Sequence, residues 1–233
     1  MTHTVKQEHL EQIQKIKRNK HHPLLHQIHK EHKISRKTLF YVKEYGLHSN
    51  ATKTIIKESI KILVFASIIS SFGGMAIENI KTLFISIVPL VILLPTLNDM
   101  IGDYGTIISS RFSTMLHEGK VGKNPWKDRD VQELFIQIMA VAIILALISS
   151  SAALVISYFS NYAVTMQVVM KIVMITVIDV IVLVLILFLI SIIAGIYFFK
   201  KEEDPNNFLI PITTSIADFG NMVILLLLIR IFF

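Results

Sequence analysis

Four aspartates, Asp99, Asp103, Asp179 and Asp218, lie within or at the margins of long apolar runs. A carboxylate at the centre of a membrane helix costs about 2.5–3.5 kcal/mol on the insertion scale, and such groups usually face a bundle interior or a water path. No Lys or Arg falls in the same apolar interiors, so internal salt bridges do not explain them. Either they carry protons or a visiting cation supplies the missing charge. Several carboxylates without a basic partner favour the cation. Glu78, near the outer end of its run, reads as interfacial.

The densest cluster is Pro95-Thr-Leu-Asn98-Asp99-Met-Ile-Gly102-Asp103-Tyr-Gly105, with two carboxylates, a carboxamide, two glycines and a helix breaker. Proline removes a backbone donor, and glycine lets the chain pack closely or unwind. Unwound backbone at membrane depth is tolerated where it lines a hydrated cavity, and broken helices recur at transporter ion sites. If the stretch stays helical, Asp99 and Asp103 are four apart and share a face. The competing reading is a loop at the cytoplasmic mouth with solvated aspartates. Further on, Thr214, Asp218 and Asn221 stand at i−4, i and i+3, an oxygen-bearing stripe on an apolar helix. Counting from Pro205 puts Asp218 roughly 14–20 Å deep, near the midplane. Hard oxygen donors suit Mg²⁺, Ca²⁺ or Mn²⁺. Mg²⁺ keeps most of its waters and touches one or two carboxylates. One Asp per chain, paired across a two-fold axis, fits a largely hydrated Mg²⁺.

The elements that must carry these groups follow from hydropathy. Hydrophobic residues make up 53% of 233 and charged residues 17%, with a mean hydropathy of +0.60, which excludes a soluble enzyme and a disordered chain. The expected fold is all-α, a polytopic bundle of five transmembrane helices with the second broken. The spans are Ile60–Asn79, Thr82–Leu94 resuming at Thr106–Leu116 after Pro89 and Pro95, Val131–Phe159, a long Val164–Phe199, and Asn206–Phe232. Residues 1–58 form a basic, His-rich cytoplasmic arm and 59–233 the membrane domain. Within the arm, Pro23 separates two short helices, and the apolar positions are too few for a core. Thirteen Lys and Arg through Lys61, five in the Arg111–Glu133 loop and two in the Lys200–Pro205 turn face Lys81, Lys171 and Arg230 on the other side. This places the N-terminus in the cytoplasm and the C-terminus outside. Without cysteine there is no thiolate site or disulfide. No signal sequence is expected, because the first apolar run starts near residue 60 behind a basic stretch.

The motifs Pro95-x-Leu-x₄-Gly102-Asp103, Ser110-Arg111-Phe-Ser-Thr114 and Gly119-Lys120 resemble the second-helix motif of the MgtE family and its animal solute-carrier relatives. Asp204-Pro205-Asn-Asn-Phe-x-Ile-Pro211-x₂-Thr-Ser-x-Ala-Asp218 is similar to the family's fifth-helix motif. The resemblance covers about residues 59–232. It implies a homodimer with a Mg²⁺ path between subunits, lined by the second and fifth helices. Asp218 then corresponds to the principal ion-selecting carboxylate, and Pro95, Gly102 and Asp103 to the bent second helix. Where the family usually has Asn after the glycine, this chain has Asp103, adding a charge per subunit. Within these 233 residues neither the acidic sensing domain nor the CBS pair of bacterial members is expected. The animal relatives fuse two units, whereas this chain holds one, so two copies would assemble.

The metal candidates are therefore Asp218, Asp103, Asp99, Asn98, Thr214, Asn221 and Asp179. For Asp179 two roles stand side by side: an outer or proton-carrying group, and polar packing with Thr176. His22, His26, His29 and His32, spaced along one helical face, fit either Zn²⁺ or Ni²⁺ binding or plain solvation. Ser149–Ser151 with Ala152 and Ala153 read as close helix packing, and Trp126 as an interfacial anchor. The alternative function is a metal-dependent membrane phosphotransferase, from the superficial likeness of Asp99-x₃-Asp103-x-Gly105-x₅-Arg111 to an Asp-Gly…Ala-Arg signature; the spacing differs from that signature. The expected protein is a divalent cation transporter or channel, not an enzyme. Its cargo is Mg²⁺, with Mn²⁺ or Ca²⁺ possible, and its partners are membrane lipids and a second copy, with no nucleic acid.

Overall fold

The computed structural model describes residues 51–233 apart from Lys123 and Glu202, together with Lys30; the side chains of 51–54, 57 and 58 lie outside the description. The two short helices expected in the arm, and His22, His26, His29 and His32, therefore lie outside the described residues. Six α-helices and one short 3₁₀ turn make up the rest: α1 Ala51–Glu78, α2 Lys81–Ser86, α3 Val88–His117, the turn Pro125–Lys127, α4 Arg129–Phe159, α5 Met166–Lys200 and α6 Pro205–Phe232. No strand occurs among the described residues.

Four helices are long and apolar enough to cross a membrane: α1 over Ser59–Glu78, α4, α5 and α6. The expected spans there agree to within a residue or two. α5 runs for 35 residues, about 52 Å at 1.5 Å per residue, more than the hydrocarbon thickness. The remaining expected span is α3, which is 30 residues long but carries Asn98, Asp99, Asp103 and Arg111. Its apolar residues form one stripe, Leu90, Leu93, Leu97, Ile101, Tyr104, Ile108 and Phe112, all buried against α4, α5 and α6. A helix that lines a polar path needs only one apolar face.

The break in the second span lies elsewhere than the sequence indicates. It falls at Ile87 (φ −104°, ψ 78°), between α2 and α3, and the helix then runs without interruption through Pro95 to His117. Pro89 sits in the first turn of α3, where a missing N–H costs nothing. Pro95 leaves one carbonyl without its helical donor but does not end the helix. Asp99 and Asp103 therefore stand on a continuous helix, neither on unwound backbone nor in a loop.

Short connections fix the other ends. Asp204 caps α6, its Oδ1 accepting from the Asn206 amide at 3.0 Å, and Pro205 follows at the first helical position. Thr165 caps α5 through the Val168 amide at 3.4 Å. Glu78 is exposed and paired with Lys81 at 3.3 Å, as an interfacial acid should be.

Candidate functional site

α3 and α6 pack tightly at Gly105. A Cβ placed on Gly105 would lie 3.1 Å from Thr213 Cβ, so glycine is needed for this spacing. One turn on, Ser109 Oγ lies 3.1 Å from Thr213 Oγ1 and 3.4 Å from Ser191 Oγ of α5. All three hydroxyls are fully buried. Thr213 donates to the Leu209 carbonyl at 2.8 Å, leaving its lone pairs to accept from Ser109. This knot ties three helices together beside the polar stripe.

The stripe itself lines a cavity of about 450 Å³ bounded by Pro95, Asn98, Asp99, Gly102, Asp103 and Thr106 of α3 and by Thr214 and Asp218 of α6. The α3 residues are spaced three or four apart or adjacent on one face, as an unbroken helix requires. Gly102 has nothing within 4 Å of where a Cβ would be, so here glycine leaves space and makes no close contact. Thr214 Oγ1 donates to the Ile210 carbonyl at 2.9 Å and Thr106 Oγ1 to the Gly102 carbonyl at 3.1 Å. Both hydroxyls thereby keep lone pairs for an incoming cation or water.

Asp218 is the most heavily supported group. Its Oδ1 accepts from Asn98 Nδ2 at 2.7 Å and its Oδ2 from Ser70 Oγ of α1 at 3.2 Å. Asn221 Nδ2 then donates to Asn98 Oδ1 at 3.0 Å. The direction of this chain is set by chemistry: an ionised carboxylate only accepts, so Asn98 must turn its amide nitrogen to Asp218 and its oxygen to Asn221. Both donors to Asp218 are neutral. Among the described residues no Lys, Arg or His pairs with Asp99, Asp103 or Asp218. Asp99 and Asp103 are exposed on the single chain.

The structure thus brings together Asn98, Asp99, Asp103, Thr214 and Asp218. Asn221 is fully buried behind them and reaches the cavity only through Asn98. Asp179 stands apart: it is fully buried on α5, lines no part of the cavity, and neither oxygen has a hydrogen-bond partner. Thr176 does not supply one, since its hydroxyl donates to the Ile172 carbonyl at 2.8 Å. Ser70 and the Ser109–Thr213–Ser191 knot are absent from the expectations above. The signal for Ser70 was its setting, Ser70-Ser71-Phe-Gly73-Gly74, small residues that let α1 pack against α6 so closely that a Cβ on Gly73 would lie 3.3 Å from Phe219 Cα.

The family model described as MgtE, divalent cation transporter, matches residues 94–228, well over half of the chain. This chain belongs to the MgtE family. The match takes in every residue lining the cavity and leaves out α1 with Ser70. No curated protein and no solved structure matches. As a member of a transporter family, the MgtE chain is a multi-pass membrane protein that moves divalent cations. The phosphotransferase alternative has no support: the family is one of transporters, and Arg111 does not line the cavity.

Proposed function

We propose that the protein passes Mg²⁺ through a path lined by α3 and α6 where two copies of the chain meet, with Asp218 as the selecting carboxylate. The observation that carries this reading is Asp218 itself, held by one amide and one hydroxyl with no basic group beside it among the described residues. A carboxylate so arranged has no resident ammonium or guanidinium to compete with a cation. The cavity is far larger than a bare ion, which suits an ion that keeps its water shell; Mg²⁺ dehydrates reluctantly and binds carboxylates largely through water. Asp99 and Asp103, exposed on the single chain, would face their counterparts across the two-fold axis and raise the local cation concentration. Thr214 and Asn98 supply neutral oxygens around the same ion. Asp179 has no direct part in this ligand set.

In the same reading, residues 1–58 are a cytoplasmic arm, 59–233 the transport unit, and the C-terminus lies outside, as the distribution of Lys and Arg argues. The test is Mg²⁺ uptake into proteoliposomes. Asp218→Ala abolishes it while the protein keeps its helical content and elution volume. Uptake at the wild-type rate in that variant would remove Asp218 from the path.

A further inference from the structure

The face of the bundle formed by α4 and α5, away from the cation cavity, carries a second concavity of about 460 Å³. It is walled by Phe135, Ile136, Leu185, Phe188 and Leu189 and closed at its upper end by Trp126 of the 3₁₀ turn. The only polar side chain in the wall, Gln132, is turned aside, its Nε2 donating to the Trp126 carbonyl at 2.8 Å. That bond latches the turn onto α4 and fixes the indole over Phe188, with ring centroids 6.4 Å apart; Phe135 meets the same ring at 4.9 Å. The groove is thus built, apolar and open to the surrounding hydrocarbon through Ile136, Leu185 and Leu189, all exposed. From Val131 to Ile136 it descends about 8 Å along α4.

Two basic residues adjoin it. Lys127 and Arg129 follow Trp126 along the chain, both are exposed and, among the described residues, neither enters an ion pair. The nearby acids are turned elsewhere. Asp128 Oδ2 accepts from the Gly122 amide at 2.8 Å. Asp130 falls on the side of α4 opposite Val131, Gln132, Phe135 and Ile136 at 100° per residue, and Glu133, one turn on from Arg129, accepts from Gln137 Nε2 at 3.4 Å. Asp130 instead faces toward Lys120, whose ammonium is held protonated above its ordinary range by its hydrogen bond to Glu118 and that residue's charge, with Asp130 adding to the effect. Two cations outside any ion pair thus stand beside an apolar slot, next to the indole that lines it. Tryptophan prefers the headgroup level, and basic residues there attract anionic lipid.

We propose that this groove is a binding site for an anionic phospholipid, one acyl chain lying along Phe135 and Phe188 and the phosphate held by Lys127 and Arg129. A second copy or a peptide would have to answer both cations with acids; a lipid phosphate and its chain match both parts of the site at once.

Trp126 is the only tryptophan in the chain and reports directly on the groove. The full chain is reconstituted in phosphatidylcholine with increasing fractions of phosphatidylglycerol carrying brominated chains, and Trp126 quenching is compared with that from brominated phosphatidylcholine. At low mole fraction the anionic lipid quenches beyond random mixing, with a preference of up to about fivefold for each cation. The Lys127→Gln/Arg129→Gln variant falls back to random mixing, whereas Lys120→Gln, at a lysine already paired with Glu118 at 2.8 Å, does not. Equal quenching by both lipids in the wild type would mean ordinary boundary lipid and overturn the proposal. Quenching by neither would mean that protein covers the groove, which also overturns it. Neither outcome depends on which ion is transported, because no flux is measured.

Discussion

Asn98 is the residue on which the site's order depends, because it joins a charged carboxylate to a fully buried amide. Asn98→Ala removes the shorter of the two donors to Asp218 and strands Asn221 Nδ2 without its acceptor. A hydrogen bond to a charged group contributes about 1.5–3 kcal/mol, so Mg²⁺ flux in proteoliposomes should drop about tenfold or more. Ser70→Ala removes the longer, 3.2 Å contact and should lower flux less; equal losses would show that the amide chain has no special part. On the proposed reading Asp99→Asn/Asp103→Asn acts differently, the exposed acids concentrating cations without gripping them. The half-saturating Mg²⁺ concentration should rise, and the difference from wild type should shrink as salt screens the field. The oxygen stripe of Thr214, Asp218 and Asn221 was legible because each polar residue stood out against an apolar helix. The division of labour within it was not. Whether Asn221 faces an ion or another amide depends on the side chain opposite, and that side chain belongs to another helix.

At the scale of helices, the two glycines of α3 make opposite demands. Gly102→Ala adds a methyl group into open space and should leave thermal stability unchanged or slightly raised, since glycine is a poor helix former. Gly105→Ala drives its new Cβ against Thr213, at 3.1 Å, and overpacking of this kind costs about 1–3 kcal/mol. Its melting temperature in detergent should fall, and flux with it, because the same contact sets the distance between Asn98 and Asp218. Matching melting curves for the two variants would mean that α3 and α6 have slack to give. Four of the five expected spans were legible from hydropathy alone, through unbroken runs longer than any soluble helix needs. The position of the break in the second span was not. Prolines at 89 and 95 look alike in a sequence, yet one starts a helix where no N–H is required and the other sits inside it, its lost hydrogen bond outweighed by packing along Leu93, Leu97 and Ile101.

For the whole molecule, the proposed pairing of two copies is open to direct test. The absence of native cysteine makes any introduced thiol unique. Ile107→Cys, on the exposed side of α3 just beyond the cavity, should form a disulfide-linked dimer in membranes if the α3 faces meet, since bridging needs Cα atoms within about 7 Å. Ile193→Cys, on the outer side of α5, should stay monomeric on the same gel. The reverse pattern would place the two-fold axis on α5 and take Asp218 off it. The knot of Ser109, Thr213 and Ser191, together with the Gly105 contact, bears on what such an assembly can do. In the proposed dimer each protomer would be pinned at the waist, and its half of the passage would behave as one stiff jaw. A change of aperture would then have to come from the two jaws tilting or sliding against each other. Conditions that switch the protein on or off should therefore register as altered distances between protomers, while distances within each one hold still.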